Sequence, residues 1–302
     1  MSSARPQQNP LLGIALRIGA ATCFALMATL IKLGYQAGAA TVEMAFYRFV
    51  FGLPPLLVWI AWTRNGGVWR TERPFAHAWR VSIGLTTMLL AFAALFYLPL
   101  AESTTIGFAA PLFAVMLSAL VLSEKVGVYR WSAVALGLVG VLVVMRPEGS
   151  HLPLMGLTLA LMSAFGSGMV SITIRQISRT DGTQTIVLWF TLGSMTVLGL
   201  AMPFFAQWHD AGSWLVLIAL GTVGGFGQIC LTGALRYAPV SVVVPFDYVQ
   251  LLWAVLLGWL VFADRPATTT WIGAAIIAAS GLFTVYREHK LGRERLRETV
   301  PL

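Results

Sequence analysis

Charged residues are scarce in this sequence. Asp, Glu, Lys and Arg make up only 11% of the 302 residues, while 58% are hydrophobic and the mean hydropathy is +0.79. A soluble globular domain carries about 25% charged residues, so this composition excludes an ordinary soluble protein. The chain is therefore predicted to lie within a lipid bilayer.

Residues that build redox and metal sites are scarce as well. The two cysteines, Cys23 and Cys230, fall within apolar segments and form neither a disulfide framework nor a cluster of metal ligands. No two histidines stand at a ligand spacing such as HxxxH, and all four are predicted in loops: His77, His151, His209 and His289. We expect no metal and no cofactor, and these histidines offer an intramembrane enzyme neither a base nor a metal site.

Long apolar runs fill most of the chain. Windows of about 20 apolar residues, the length that crosses the hydrocarbon core of a bilayer, recur ten times. Their approximate bounds are 11–31, 42–62, 80–98, 103–122, 130–145, 154–174, 184–204, 214–235, 240–261 and 269–286. The sequence thus predicts an all-α integral membrane protein with ten transmembrane helices, the fifth of them short.

The basic residues are distributed unequally between the two sides of the membrane. The net charge is +8, and with a cytoplasmic N-terminus fifteen of the twenty Lys and Arg residues fall on the cytoplasmic side, three on the outer side and two within helices. Cytoplasmic segments are the ones that carry excess Lys and Arg. Both termini are therefore predicted in the cytoplasm, and the basic tail is interpreted as a solvated helical end, with no nucleic acid as a partner.

The chain contains an internal repeat. An offset of 140 residues aligns several distinctive residues, namely Tyr97 with Tyr237, Pro99 with Pro239, Trp131 with Trp271, and Glu124-Lys125 with Asp264-Arg265. An offset of 143 residues aligns the first apolar segment, 11–32, with 154–175. Each repeat then holds five helices. Because five is odd, the second repeat crosses the membrane in the opposite sense, an arrangement typical of secondary transporters.

The repeats divide the chain into four parts. Residues 1–10 form a cytoplasmic tail, 11–146 the first repeat, 154–286 the second repeat and 287–302 a basic cytoplasmic tail. In inverted-repeat transporters the binding site lies at the interface between the repeats, which opens alternately to each side.

Two long stretches carry a resemblance to a known family. AESTTIGFAAPLFAVMLSALVLSEKVGVYRWSAVALGLVGVLVVM at 101–145 is repeated as APVSVVVPFDYVQLLWAVLLGWLVFADRPATTTWIGAAIIAASGLFTVY at 238–286. Each has a short turn with Ala, a proline-bearing fourth helix, an acid–base pair and a glycine-spaced fifth helix. In these motifs the chain resembles the EamA family of the drug/metabolite transporter superfamily, over about residues 10–287.

The resemblance implies ten helices with cytoplasmic termini and a central cavity lined by the first four helices of each repeat. The fifth and tenth helices would be peripheral. Members carry amino acids, nucleosides, cofactors and other metabolites, so the resemblance specifies no substrate. The sequence departs from a symmetric pattern at one point, because Pro111 aligns with Leu251, whereas Pro245 aligns with Thr105.

Asp247 is an acidic residue inside the ninth apolar segment, SVVVPFDYVQLLWAVLLGWLVF at 241–262. A charge within a span costs about 2.5 kcal/mol or more, so it usually faces a partner or a hydrated cavity. Asp247 and Arg17 each lie six residues in from the cytoplasmic end of their segments, which predicts similar depths. Two interpretations stay open: a structural charge that is paired or reaches the interface, and a charge that binds substrate or takes up a coupling proton.

Arg48 is the other cation inside an apolar segment, six residues in from Val42 on the outer side. A guanidinium keeps its proton and offers a fork of donors to a carboxylate or phosphate. Capture of a substrate anion is one interpretation. The other is pairing with carbonyl groups or with the outer interface, near Glu43.

Further polar and aromatic residues are candidates for the cavity wall. Tyr248 and Gln250 flank Asp247, and Tyr47 and Trp189 could stack against a planar ligand, although such aromatics also serve as packing residues and interface anchors. Gln228 ends the stretch GTVGGFGQ at 221–228, whose glycines favour close packing of helices.

Together these features predict a secondary transporter of the inner membrane that moves a small organic metabolite by alternating access. No P-loop pattern GxxxxGK[ST] occurs, so a gradient of protons or of the substrate itself is expected to drive transport. An intramembrane enzyme acting on lipid and a scaffold that transports nothing are the alternatives, and the inverted repeat counts against the scaffold.

Overall fold

The structure, a computed structural model, describes residues 9–63, 66–121, 127–145, 152–238 and 240–298, and the regular structure in these ranges is helical. The helices of the first repeat are α1 Pro10–Gln36, α2 Thr41–Trp62, α3 Pro74–Tyr97, α4 Leu100–Gly107, α5 Ala110–Val121 and α6 Val128–Val144. Those of the second repeat are α7 Leu154–Ile177, α8 Thr183–Phe205, α9 Ala211–Tyr237, α10 Val240–Val243, α11 Val249–Phe262 and α12 Thr268–Glu298. Short 3-10 helices cover Gly66–Trp69 and Val244–Tyr248.

Several helix ends follow from local sequence signals. The Asn9 side chain accepts a hydrogen bond from the Leu12 N–H at 3.2 Å, and Pro10 occupies the first turn of α1. The Asp210 side chain likewise accepts from the Ser213 N–H at 3.1 Å at the start of α9. Short polar side chains of this kind satisfy amide groups that a helix start leaves without partners.

Seven stretches of helix among the described residues are long and apolar enough to cross a membrane. They are Pro10–Gln36, Thr41–Trp62, Pro74–Tyr97, Leu100–Leu120, Leu154–Ile177, Thr183–Phe205 and Ala211–Ala234. Three shorter apolar helices, Trp131–Val144, Phe246–Phe262 and Thr268–Phe283, coincide with the remaining predicted segments. The chain is a multi-pass membrane protein, and the count of ten crossings stays a prediction.

The predicted fourth and ninth helices are both interrupted. The fourth divides into α4 and α5 at Phe108 and Ala109, and the ninth divides into α10, the 3-10 helix at Val244–Tyr248, and α11. Pro111 and Pro245 each lie in the first turn of the segment that follows, where a missing N–H is tolerated. The two interruptions overlap at an offset of 140 residues although the prolines do not align.

The two repeats pack against each other through their long helices. The largest contacts between them join α1 to α9, α2 to α9, α3 to α7 and α6 to α12, and α2 also packs on α8. Gly225 of α9 lies so close to α2 that a Cβ there would stand 2.9 Å from the Gly52 carbonyl oxygen. Small residues allow this approach of backbones, as the glycines of 221–228 predict.

The remaining helices lie beside this contact. α6 and α12 pack mainly on each other, and α12 also contacts α4. The predicted fifth and tenth helices therefore do not enter the interface made by α1, α2, α8 and α9, as the resemblance implies. Glu124-Lys125 and Pro239, which belong to the aligned positions of the two repeats, lie outside the described residues.

Candidate functional site

A pocket lies between the two repeats, among α2, α8 and α9. It encloses about 430 Å³ including its open mouth, but the part that the centre of a water molecule can reach is only about 20 Å³. Its walls are formed by Arg48, Phe49, Gly52, Leu56, Trp59, Val187, Phe190, Thr191, Gly224, Gly225, Gln228 and Ile229. In this conformation the pocket has room for little more than a water molecule, so a metabolite can enter only if these helices separate.

Arg48 contributes the positive charge of the pocket wall. Its Nε is buried without a hydrogen-bond partner, and its guanidinium carbon lies 4.9 Å from the centre of the Phe49 ring. Among the described residues no carboxylate pairs with it. A spacing of five residues places Glu43 and Arg48 on different faces of α2, and Glu43 contacts His209 instead.

Arg17 and Asp247 form an ion pair between α1 and the interrupted ninth segment. Arg17 Nε donates to Asp247 Oδ1 and Arg17 Nη2 donates to Oδ2, so the carboxylate is held by both prongs of the fork. The Arg17 side chain is 10% exposed and that of Asp247 is 30% exposed. The predicted match in depth is therefore present in the structure, and a substrate or proton role for the pair stays a prediction.

Of the remaining candidates, only Gln228 lines the pocket. Tyr47 stacks on Phe51 and meets Trp214 edge to face. The Trp189 ring centre lies 5.7 Å from that of His77, at the cytoplasmic end of α3 in the predicted orientation.

Tyr248 and Gln250 lie beyond the ion pair at the start of α11. The Tyr248 ring centre lies 5.0 Å from that of Phe108, and its hydroxyl approaches Gly281 of α12. Tyr248 thus packs into the break between α4 and α5. Gln250 is half-buried. The pocket wall includes neither residue, so their role in substrate binding stays a prediction.

Arg80 is a further buried cation and is one of the fifteen basic residues predicted on the cytoplasmic side. Its side chain lies within α3 and is 8% exposed, with Nε and Nη1 buried without partners. Its guanidinium carbon stands 4.1 Å from the centre of the Phe190 ring, and Phe190 belongs to the pocket wall. The sequence signal was its position, six residues inside a helix that begins at Pro74.

His77 and Asp181 connect the repeats at the start of α8. The prediction that His77 lies in a loop is wrong, because it occupies the first turn of α3 and is 1% exposed. Its Nε2 stands 2.7 Å from Asp181 Oδ2, which also accepts a hydrogen bond from Thr71 Oγ1 at 2.7 Å. Burial raises the pKa of Asp181, but the hydrogen bonds from Thr71 and His77 lower it and outweigh burial. The pKa of Asp181 therefore lies below its ordinary value.

Glu43 and His209 connect the repeats at the other end of α8. Glu43 is fully buried in the first turn of α2, and its Oε1 lies 2.8 Å from His209 Nε2. The same oxygen accepts the Gln207 N–H at 3.2 Å. His289, predicted in a loop, lies within α12, and His151 is outside the described residues.

The other intramembrane or interfacial acids also have partners. Asp264 pairs with Lys32 at 3.1 Å, which joins the ends of α11 and α1. Glu102 is 4% exposed in the first turn of α4 and accepts a hydrogen bond from Thr270 at 2.9 Å. Within the part of the chain that the structure describes, no group of three or more His, Cys, Asp or Glu side chains could hold a metal ion.

Comparison with known proteins assigns both repeats to one family. The EamA-like transporter family matches residues 11–146 and 154–286. A riboflavin transporter of Vibrio cholerae serotype O1 is 30% identical over 96% of this chain and 98% of its own length. An S-adenosylmethionine uptake transporter of Rickettsia prowazekii is 26% identical over 82% of this chain and 84% of its own.

More distant proteins share the same overall fold. A pseudopaline exporter of Pseudomonas aeruginosa is 24% identical over 89% of this chain and 94% of its own length. A crystal structure with 20% sequence identity superposes with a TM-score of 0.63, covering 92% of this chain and 98% of the other. With two family matches that together span nearly all of its helices, the chain belongs to the EamA-like transporter family.

Proposed function

We propose that this protein is a secondary transporter that moves a small organic metabolite across the inner membrane by alternating access. The observation that carries the proposal is the pocket between the repeats, which combines Arg48 and Phe49 from the first repeat with Phe190 and Gln228 from the second. A site built from both repeats is the one that opens alternately when they rock against each other.

The relatives indicate the kind of cargo. They are named for riboflavin, for S-adenosylmethionine and for pseudopaline, so both uptake and export occur among them. We propose a metabolite of this size range, with Arg48 and Gln228 as its polar contacts and Phe49, Phe190 and Trp59 as the apolar walls.

We further propose ten membrane crossings in two inverted sets of five, with both termini in the cytoplasm. Seven long apolar helices and three shorter ones support the count, and the distribution of basic residues supports the orientation. A gradient drives the cycle, either of the substrate or of protons taken up near the Arg17–Asp247 pair.

Uptake into proteoliposomes tests the proposal. Purified protein reconstituted alone is assayed with radiolabelled riboflavin, S-adenosylmethionine, amino acids and nucleosides, with and without an imposed pH gradient. We expect saturable movement of at least one compound. Turnover of a bilayer lipid with no saturable movement of any compound would instead support an enzyme.

Variants of Arg48 test whether the transported compound binds in the pocket. Arg48→Lys keeps the charge but loses the fork of donors, and a charge-assisted hydrogen bond is worth about 1.5–3 kcal/mol, so we expect uptake to fall at least about tenfold. Arg70→Gln, which changes an exposed arginine, is the control for the loss of one positive charge in Arg48→Gln. Unchanged uptake in both Arg48→Lys and Arg48→Gln would assign Arg48 to the membrane interface.

A further inference from the structure

Arg48 and Arg80 stand on either side of one pair of aromatic rings. The Phe49 and Phe190 rings meet edge to face with their centres 5.3 Å apart, Arg48 lies against Phe49, and Arg80 lies against Phe190. The two cations come from α2 and α3 of the first repeat, while Phe190 comes from α8 of the second. Both positive charges therefore face the boundary between the repeats.

The sequence makes room for the second guanidinium. A Cβ at Gly84, one turn after Arg80 on α3, would collide with Arg80 Nη1 at 1.9 Å and would lie 2.8 Å from Phe190. The arginine thus lies along its own helix in a space that only glycine leaves open. A side chain that merely reached for the membrane interface would not need this space.

Nothing among the described residues neutralises either cation. None of the buried or half-buried carboxylates pairs with either arginine: Asp247 and Asp264 pair with Arg17 and Lys32, Asp181 and Glu43 lie against His77 and His209, and Glu102 accepts a hydrogen bond from Thr270. Arginine does not lose its proton in proteins, and the two guanidinium groups repel each other. An unpaired buried charge costs free energy, so this region carries a positive charge that a bound anion would stabilise.

We propose that Arg48 and Arg80 form a two-cation site for an oxyanion of the transported metabolite, a carboxylate or a phosphate. The proposal rests on the proposed transport function and names its substrate class. Arg48 reaches the pocket directly, whereas Phe190 separates Arg80 from the open space. Arg80 therefore joins the site when the Phe190 ring moves as the pocket widens, and the aromatic walls contact the uncharged part of the same molecule.

Paired probes that differ only in charge test the proposal. Protein in phosphatidylcholine nanodiscs is titrated with riboflavin 5′-phosphate against riboflavin, with indole-3-acetate against indole-3-acetamide, and with phosphate or sulfate against chloride at equal ionic strength. We expect at least one anion to raise the melting temperature, since a ligand stabilises the folded state it binds. The anionic member of a pair should bind at least about tenfold tighter, which corresponds to about 1.4 kcal/mol.

The variants separate a binding role from a structural role. Arg80→Gln should abolish the preference for the anion while the melting temperature without ligand stays the same or rises, because an unpaired buried cation has been removed. Arg70→Gln should change neither quantity. A clear fall in the melting temperature of both Arg80→Gln and Arg80→Met would show that the cation supports the fold, and would overturn the proposal.

The remaining outcomes also decide whether the two-cation site exists and which anion it binds. No stabilisation by any anion, or a preference that survives both Arg48→Gln and Arg80→Gln, overturns the proposal. Repetition in phosphatidylglycerol nanodiscs tests the source of the anion, since loss of probe binding there would assign the site to a lipid headgroup. Transport of a neutral compound with no preference for anions would refute the substrate class alone, whereas absence of all transport would refute the proposed function.

A separate set of contacts leads to a second inference, about the ends of α8. Asp181 precedes this helix and His209 follows it, and a helix of 23 residues is about 35 Å long, so the two residues lie at opposite ends of the molecule. At each end a buried carboxylate meets a histidine of the other repeat. We call the group of Thr71, His77 and Asp181 the cytoplasmic latch, and Glu43 with His209 the outer latch.

The two latches are related by the proposed inversion. The carboxylate lies at the start of the second helix of one repeat, at Glu43 in the first turn of α2 and at Asp181 just before α8. The histidine lies at the start of the third helix of the other repeat, at His209 beside α9 and at His77 in α3. We infer that the latches close the two ends of the transport path, and that one opens while the other stays closed.

Reversible cross-links test this inference. In a chain carrying Cys23→Ser and Cys230→Ser, the cytoplasmic end is linked through Thr63→Cys and Gln184→Cys, whose parent side chains hydrogen-bond at 2.8 Å. The outer end is linked through Glu43→Cys and His209→Cys. The cytoplasmic cross-link should stop transport and reduction should restore it, with the single-cysteine variants as controls. The outer cross-link should stop transport relative to the same protein after reduction, which lacks the latch contact itself.

For each pair of cysteines the result shows whether the linked end must open during transport. Fully cross-linked protein that transports at the rate of the reduced sample would show that the linked end need not open. Failure of a pair to cross-link, although each cysteine alone reacts with a thiol reagent, would show that the contact does not form in the membrane. Because the reduced sample reports transport itself, neither result is confused with failure of the proposed function.

Discussion

Arg17 and Asp247 hold opposite charges together where the first helix of one repeat meets the interrupted ninth segment. Replacing Asp247 with Asn leaves Arg17 without its partner, and removal of one member of a buried pair costs about 3–5 kcal/mol. Since the Asp247 side chain is 30% exposed, we expect the lower part of this range. Thermal unfolding of detergent-purified Asp247→Asn measures the loss.

The double variant separates structure from transport. Adding Arg17→Gln removes the stranded cation, so the melting temperature should recover while uptake stays low. A double variant that transports like the parent would show a purely structural pair. If Asp247→Asn alone kept the parental melting temperature but lost transport or its pH dependence, the carboxylate would act on substrate or protons directly.

The lowered pKa of Asp181 predicts how the stability of the cytoplasmic end changes at acid pH. Its pKa lies below the ordinary value of 3.8, so its contribution to stability is present above that value and is lost as the pH falls below it. The difference in melting temperature between the parent and Asp181→Asn should therefore stay constant from about pH 7 to about pH 5 and shrink below about pH 3.8. The measurement is repeated with His77→Gln in both chains, because His77, Thr71 and Arg73 face this carboxylate.

A difference that shrank already between about pH 7 and about pH 5 in the chains that keep His77 would contradict the assignment, since the pKa of Asp181 lies below its ordinary value of 3.8 there. It would also show that another group controls the cytoplasmic latch.

Sequence position could predict some of these residues and not others. Arg17 and Asp247 were matched because depth within an apolar segment can be counted along the chain. Arg80 stands at the first position of the predicted segment 80–98, so the sequence groups it with the cytoplasmic charges. In the structure the helix begins six residues earlier, at Pro74. The contact between Glu43 and His209 depends on how α2 packs on α8, which no local pattern records.

At the scale of helices, the crossing of α2 and α9 depends on three glycines. A Cβ at Gly225 would stand 2.9 Å from the Cα and the carbonyl oxygen of Gly52, and one at Gly221 would stand 2.5 Å from the Tyr47 carbonyl oxygen. Backbone atoms cannot move aside as a flexible side chain can. Helix packing in a bilayer relies on such close van der Waals contact, because lipid is as apolar as the side chains.

Gly225→Ala should therefore force the two helices apart. Overpacking of this kind costs about 1–3 kcal/mol, and the pocket wall that contains Gly225 should be distorted with it, so we expect a lower melting temperature and lower uptake. Gly199→Ala in α8 is the control, since its Cβ would meet only the Phe46 ring at 3.5 Å. Equal effects of the two substitutions would contradict a special role for the crossing.

The interrupted helices show what a repeat comparison can and cannot reveal. Pro111 and Pro245 do not align, so the sequence departs there from a symmetric pattern. The breaks nevertheless overlap at the repeat offset, since Phe108 aligns with Tyr248. Pro111 lies after its break, whereas Pro245 begins the 3-10 helix that forms the other break. Sequence comparison detects the proline itself, whereas the structure shows the helix end that the proline follows.

At the scale of the whole molecule, α8 is joined to the first repeat at both of its ends. Asp181 and Gln184 contact His77, Thr71 and Thr63 at one end, and Gln207 and His209 contact Glu43 at the other. A narrow pocket lies between these ends. Since we infer that these contacts close the two ends of the transport path, transport requires one set of them to break.

Reporter fusions test the orientation on which this scheme depends. A reporter active in the cytoplasm should give signal after Leu302 and after Thr180, in the segment between α7 and α8. A reporter active in the periplasm should give signal after Trp208, which is fully exposed between α8 and α9. These outcomes follow from the fifteen basic residues on the predicted cytoplasmic side against three on the outer side. Periplasmic activity after Leu302 would refute both the ten crossings and the inversion, and it would place the two latches on the wrong sides of the membrane.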